Sequence, residues 1–158
     1  MPMSLLQSVL EVIVGAVVLV MAMGVHGLGM YFVLVRAERL GAHRPGHDGF
    51  RIRQWFFGEL VLTMMATHIA EMVLWSAVMW AIGAIPNLRD AFYMSSVTYT
   101  TLGYEDIKLS TEWRLLAPIC AMNGVFAFGW TTSVLMIVLA RHFMPARRGE
   151  GSPPGMDR

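Results

Sequence analysis

Charge is what this sequence has least of. Only 15% of its 158 residues are charged, against about 25% in an average soluble domain. With a net charge of +1 and 56% apolar residues, it has neither the basic surface of a nucleic-acid-binding protein nor the composition of a disordered chain. Cysteine is scarcer still. Cys120 stands alone, which excludes an intrachain disulfide and a multi-thiolate metal site. Residues 1–35 contain no Lys or Arg. The first apolar run therefore lacks the basic start of a signal peptide, and it outlasts that signal's usual apolar stretch of about 7–15 residues.

What is present is three long runs almost free of charge. Val12 to Val35 and Leu115 to Ala140 contain no charged residue, and Trp55 to Ile85 is interrupted only by Glu59 and Glu71. About 20 apolar residues cross a bilayer core as a helix, so an all-α membrane protein with three spans is expected. Basic residues stay on the cytoplasmic side. Arg36, Arg39, Arg44, Arg51 and Arg53 lie between the first and second spans, and Arg141, Arg147, Arg148 and Arg158 follow the third. Only Arg89, Lys108 and Arg114 lie between the second and third. The N-terminus is thus expected outside and the C-terminus in the cytoplasm. His43 and His47 fall in an Arg-rich loop over 37–54 that can touch membrane lipid, and the tail over 142–158 reads as disordered.

The stretch from Pro86 to Glu112 is too polar for a span. Pro86 and Asn87 end the second helix, and Asn87 can cap a new one, with Asp90 suited to its first turn. A helix over 88–99 would measure about 18 Å, roughly half a bilayer. It leads into Thr98-Tyr99-Thr100-Thr101-Leu102-Gly103-Tyr104-Glu105-Asp106. This block resembles the pore loop of the potassium-channel superfamily, whose filter reads T-V-G-Y-G-D. The order span, pore helix, filter, span also matches that superfamily's two-helix pore module, here over 55–141. The resemblance assigns an outer helix to 55–85, a pore helix to 88–99, a filter to 100–106 and an inner helix to 113–141. The wider chain is similar to small bacterial ion-channel proteins with a His-x-x-Glu in the helix before the pore. Here that pair is His68 and Glu71, preceded by an N-terminal helix over 1–36.

The resemblance implies a homotetramer in a bacterial inner membrane that conducts cations, potassium above all, with no enzymatic step. Backbone carbonyls of Thr101, Leu102, Gly103 and Tyr104 would replace the water shell of potassium. Tyr93, Met94, Tyr99 and Thr100 would support the filter from behind. The chain departs from the family at Glu105, which stands where the second filter glycine is expected. A non-glycine residue at positive φ is strained. Four copies each of Glu105 and Asp106 would gather cations at the outer mouth, with calcium or magnesium as candidate ligands. Whether the pore selects potassium strictly or passes monovalent cations more broadly is left open by that substitution.

In the third span, Gly124 reads equally as a hinge or as a point of close helix packing. Phe128, Thr132 and Met136 share one face, a candidate lining for the cavity below the filter. Ionisable groups inside a membrane are functional candidates, and His68 with Glu71 fits a polar pair tying helices together, a contact with the first span, or a proton sensor. Glu59, near the inner interface, would snorkel. One alternative is a three-span cytochrome subunit with His26 and His68 as haem ligands. Counted from Arg36 and Arg53, those histidines lie about 15 and 22 Å from the cytoplasmic edge, so no haem is expected. A non-conducting membrane adaptor on a channel scaffold is the other alternative.

Overall fold

The computed structural model of the chain describes residues 5–41, 49–104 and 106–142. Glu105, the segment 42–48 with His43, Arg44 and His47, and the tail from residue 143 lie outside the described residues. Among the described residues every regular element is helical: α1 (Leu5–Gly41), α2 (Gly49–Ala81), α3 (Leu88–Tyr99), a 3-10 turn over Thr111–Trp113, and α4 (Leu116–His142). Three of these helices are long and apolar enough to cross a membrane, over Leu5–Arg39, Gln54–Ala81 and Leu116–Arg141. With 37 residues, α1 is about 55 Å long. That exceeds a hydrocarbon core of about 30 Å.

The helix ends follow from local chemistry. Gly83, at φ 72°, closes α2: its N–H bonds the Trp80 carbonyl (3.0 Å) and the Ala84 N–H bonds that of Met79 (2.9 Å). This is a Schellman closure around a left-handed glycine. It stops the helix at Ala81, earlier than the Pro86-Asn87 break expected from the sequence. Asn87 then caps α3, its side chain accepting from the Arg89 N–H at 2.9 Å. The third long helix begins at Leu116 rather than 113, because Thr111–Trp113 form the 3-10 turn.

The helices pack in an alternating order. α1 lies along both α2 and α4, α3 is wedged between α2 and α4, and α2 and α4 scarcely touch. One end of the fold gathers the start of α1, the end of α2 and the start of α4. There the Ser110 N–H donates to the Ala84 carbonyl (3.2 Å), and Gln7 Nε2 donates to the Glu112 carbonyl (3.0 Å). At the other end Arg36 pairs with Glu59 (2.6 Å), so Glu59 meets a cation on α1, and Arg141 approaches Glu38 (3.9 Å). The chain leaves the first end at Ala84, descends along α3 to Tyr99 beside the middle of α2, and is back beside Ala84 at Ser110.

Two apolar clusters result. One holds Val18, Trp75, Met79, Ile85, Tyr99 and Leu116, and the other Met30, Phe56, Leu60, Met64, Val134 and Val138. Glu11 is buried at the first end and accepts the Leu115 N–H at 2.9 Å. A carboxylate there satisfies an orphan donor at the start of α4 and favours its positive dipole end. Glu11→Ala should cost about 1–2 kcal/mol. A lowered thermal midpoint of the detergent-solubilised protein would register that cost, whereas an unchanged midpoint would contradict the capping role.

Candidate functional site

The segment after α3 turns its amide hydrogens back on that helix. The Thr101 N–H donates to the Thr98 carbonyl (2.9 Å), and the Leu102 and Gly103 N–H groups both reach the Val97 carbonyl (2.9 and 3.3 Å). In a planar trans peptide the carbonyl points opposite to the N–H that follows it, and no cis peptide occurs among the described residues. The carbonyls of Thr100, Thr101 and Leu102 therefore all aim out of the C-terminal end of α3. Residues Thr100 to Tyr104 are exposed in the single chain.

Backbone conformation sustains this alignment. Thr101 and Gly103 take φ values of 58° and 64°, so left-handed residues alternate along the segment. Among the described residues Thr101 is the one non-glycine at positive φ. A β-branched residue there is an outlier and carries strain on the order of 1–3 kcal/mol. The sequence reading puts strain at Glu105, outside the described residues. The strain found is at Thr101, where the chain must reverse to bring two N–H groups onto Val97. Beyond the segment, the Tyr93 hydroxyl donates to Asp106 Oδ2 (3.0 Å). That bond, with minor desolvation, raises the Tyr93 hydroxyl above its ordinary pKa. Met94 is half-buried, its sulfur facing the Thr98 hydroxyl (3.6 Å).

Behind the segment lies a layer of buried polar side chains drawn from all four helices. Glu71 on α2 is fully buried. Its Oε1 faces His26 Nδ1 of α1 at 2.6 Å, and its Oε2 accepts from the Tyr99 hydroxyl of α3 (3.1 Å) and Asn123 Nδ2 of α4 (2.7 Å). His68 Nδ1 meets the Tyr99 hydroxyl at 2.8 Å. The Thr131 hydroxyl of α4 faces both His68 Nε2 (3.0 Å) and His26 Nε2 (3.3 Å). The two imidazole rings stand 5.3 Å apart, with Trp130 against His26 and Phe128 against His68. His26, His68 and Glu71 thus bring three groups of metal-ligating type within 4.8 Å. The facing atoms are all engaged in the hydrogen bonds just described.

These contacts revise the sequence reading in two places. His68 and Glu71 join through Tyr99, and the direct partner of Glu71 is His26. The depth comparison that separated His26 from His68 does not hold. It took Arg36 and Arg53 as level, whereas Arg36 pairs with Glu59. Ten residues back from Arg36 and nine on from Glu59 give nearly equal depths of about 15 and 14 Å. The Thr131 hydroxyl occupies the space between the two Nε2 atoms. Gly124 is buried, and a Cβ there would overlap the Tyr99 carbonyl, which explains it by close packing. Phe128 touches His68 and Tyr99 at its ring yet is 41% exposed, and Thr132 and Met136 are also exposed in the single chain. Within the polar layer, His26 is the residue through which Glu71 meets the first span, a contact the sequence allows without naming the histidine. Asn123 and Thr131 give no signal, because amides and hydroxyls are common in apolar helices.

The class of the protein comes from its membrane-length helices together with its likeness to known proteins: a membrane protein of an ion-channel family. Residues 60–141, just over half of the chain, match the family model described as "Ion channel". The chain belongs to that family, whose module is the two-helix potassium-channel pore. It is also 29% identical over 105 residues to intermediate conductance calcium-activated potassium channel protein 4 of Rattus norvegicus. That match covers 58% of this chain and 23% of the relative's length. No solved structure matches the chain.

The layer's energetic weight is measurable. Glu71→Ala leaves its polar partners on α1, α3 and α4 facing a void and should destabilise the protein by about 3–5 kcal/mol. Tyr99→Phe removes one of the two hydrogen bonds to Glu71 Oε2 and strands His68 Nδ1, at about 1–3 kcal/mol. Denaturant midpoints in one detergent should fall in the order wild type, Tyr99→Phe, Glu71→Ala. Equal midpoints would contradict the assignment.

Proposed function

We propose that the chain is the subunit of a homotetrameric potassium channel in a cell membrane. Segment 100–106 forms the selectivity filter, α3 the re-entrant pore helix, α2 the outer helix and α4 the inner helix. One observation carries the reading: three consecutive carbonyls, those of Thr100, Thr101 and Leu102, aim the same way from an exposed segment between two membrane-length helices. A row of carbonyl oxygens is what replaces the hydration shell of a monovalent cation. One chain supplies one such row, so a ring of oxygens requires several copies around an axis. Tyr104, 67% exposed, and Leu102, 56% exposed, are apolar surface that neighbouring copies would cover. The negative end of α3 points at the same place and favours a cation there. Arg-rich segments between the first two spans and after the third support an orientation with the N-terminus outside and the C-terminus in the cytoplasm.

In this reading Gly103 and Thr101 hold the carbonyl row, with Gly103 and Tyr104 adding the outer oxygens. Tyr99 and Thr100 fix its inner end, Tyr93 and Met94 its flank. Phe128, Thr132 and Met136 line the cavity below, and Gly124 keeps α4 against Tyr99. Asp106 and Glu105 bring eight carboxylates to the outer mouth of a tetramer, a site for calcium or magnesium.

Two experiments test this. No atom lies within 4 Å of a Cβ built on Gly103, so Gly103→Ala opposes only the left-handed φ, at about 1–2 kcal/mol per copy. Planar-bilayer recording should show a conductance at least about tenfold lower, since 1.4 kcal/mol is a factor of ten, with the tetramer still forming. Unchanged conductance would remove Gly103 from the filter, and an intact tetramer without current in the wild type would favour a non-conducting adaptor. For the mouth, Glu105→Gln should weaken external calcium block and lower conductance at low salt, where charge steering is strongest. Block identical to wild type would show that Glu105 faces away from the ion path.

A further inference from the structure

The buried polar layer is a closed ring, and its hydrogens can be counted. Going round, Glu71 Oε1 meets His26 Nδ1, His26 Nε2 meets Thr131 Oγ1, Thr131 Oγ1 meets His68 Nε2, His68 Nδ1 meets the Tyr99 hydroxyl, and that hydroxyl meets Glu71 Oε2. Each of these five contacts needs one hydrogen between its two heavy atoms. Thr131 and Tyr99 bring one each, and a neutral imidazole brings one each. An ionised Glu71 brings none. Four hydrogens cannot fill five contacts. Two lone pairs would then face each other somewhere in the ring, and the layer would hold an uncompensated buried negative charge.

We infer that the ring binds one further proton, shared across the His26–Glu71 contact, and that this proton fixes Tyr99 at the inner end of the segment 100–104. With it, every contact holds one hydrogen, and the donations run both ways from His26 to converge on Glu71: His26 donates to Glu71 and to Thr131, Thr131 to His68, His68 to Tyr99, and Tyr99 to Glu71. The layer is then neutral as a whole, an imidazolium beside a carboxylate. The His26–Glu71 contact, at 2.6 Å, is short, in the sense in which charge-assisted bonds are shorter than neutral ones. Asn123 Nδ2 adds a third donor to the carboxylate, which places the negative charge on Glu71 and the positive one on His26.

Other titratable groups facing the layer do not supply the missing hydrogen. α1 contributes His26 and α2 contributes His68 and Glu71, all in the ring. α3 contributes Tyr99, also in the ring. On α4, the Cys120 thiol is buried and turned to the Ser95 carbonyl at 3.8 Å. A proton must therefore come from solution. Its loss opens a contact and leaves one negative charge among α1, α2, α3 and α4. Tyr99 is the residue affected most directly, because its hydroxyl lies in the ring while its own carbonyl abuts Gly124 and its chain continues into Thr100. The proton site stands on the hydrogen bonds alone; only its effect on conduction rests on the filter reading.

The test uses the full chain, labelled with 15N at histidine, in lipid bilayers. At pH 7 the nitrogen shifts should report His26 protonated on both nitrogens and His68 neutral with its proton on Nδ1. Both histidines neutral, or a transition metal co-purifying at one per chain, would overturn the site. Thr131→Val keeps the shape and deletes the relay. It should lower the ratio of doubly to singly protonated His26, read from the nitrogen shifts at one fixed pH, at least about tenfold, while Ser133→Ala leaves that ratio unchanged. No difference between the two variants would overturn the ring. In wild-type channels, potassium flux should fall at least about tenfold as pH rises through the loss of the His26 proton. Flux that stays constant through that titration would overturn the anchoring of Tyr99, and an absence of flux at every pH would count against the filter reading while the nitrogen shifts still decide the site.

Discussion

A single buried carboxylate determines how these helices can be arranged. Glu71 receives donors from α1, α3 and α4, and in an apolar setting an unpaired carboxylate is expensive. All three helices must therefore present their donors at one depth. α2 and α4 have little direct contact, so the polar layer does for that pair what side-chain packing does elsewhere. It also separates the two apolar clusters: Val18, Trp75 and Leu116 lie on one side, Met30, Leu60 and Val134 on the other.

The consequences run outward to the segment after α3. Tyr99 is held by its hydroxyl in the polar layer and by its backbone against Gly124. Ser95 ties the same helix to the Met72 carbonyl at 3.0 Å. With the last turn of α3 fixed, its Val97 and Thr98 carbonyls offer fixed acceptors, and the next amides fold back onto them. The alignment of the following carbonyls is thus a product of helix termination. Thr101 bears the strain of that reversal, and the rigid anchor at Tyr99 is what can sustain it.

Much of this was legible in the sequence. Charge-free runs announced the three membrane-length helices, and Asn87 with Asp90 announced α3, because capping chemistry is local. Residues 60–141, which match the ion-channel family, include the motif around Gly103 and Tyr104. What failed was relational. The partner of Glu71 depended on which residues of two helices share a depth, and the Arg36–Glu59 pair that marks this register cannot be read from either helix alone. The end of α2 was misplaced because Gly83, an unremarked glycine in an apolar run, closes the helix before Pro86 is reached. Strain at Thr101 was invisible since residue type argues against a left-handed threonine. Glu11 was passed over because a lone acid beside a span looks like an interfacial charge, and only the fold brings Leu115 to it.

The most direct test of the account is the position of a heavy monovalent ion, rubidium or thallium, in an experimental structure of the full chain in lipid. The account predicts four copies around one axis, with ion density on that axis coordinated by the carbonyls of Thr101 and Leu102. An assembly without fourfold symmetry, or one in which those carbonyls face protein or lipid with no ion between them, would contradict it.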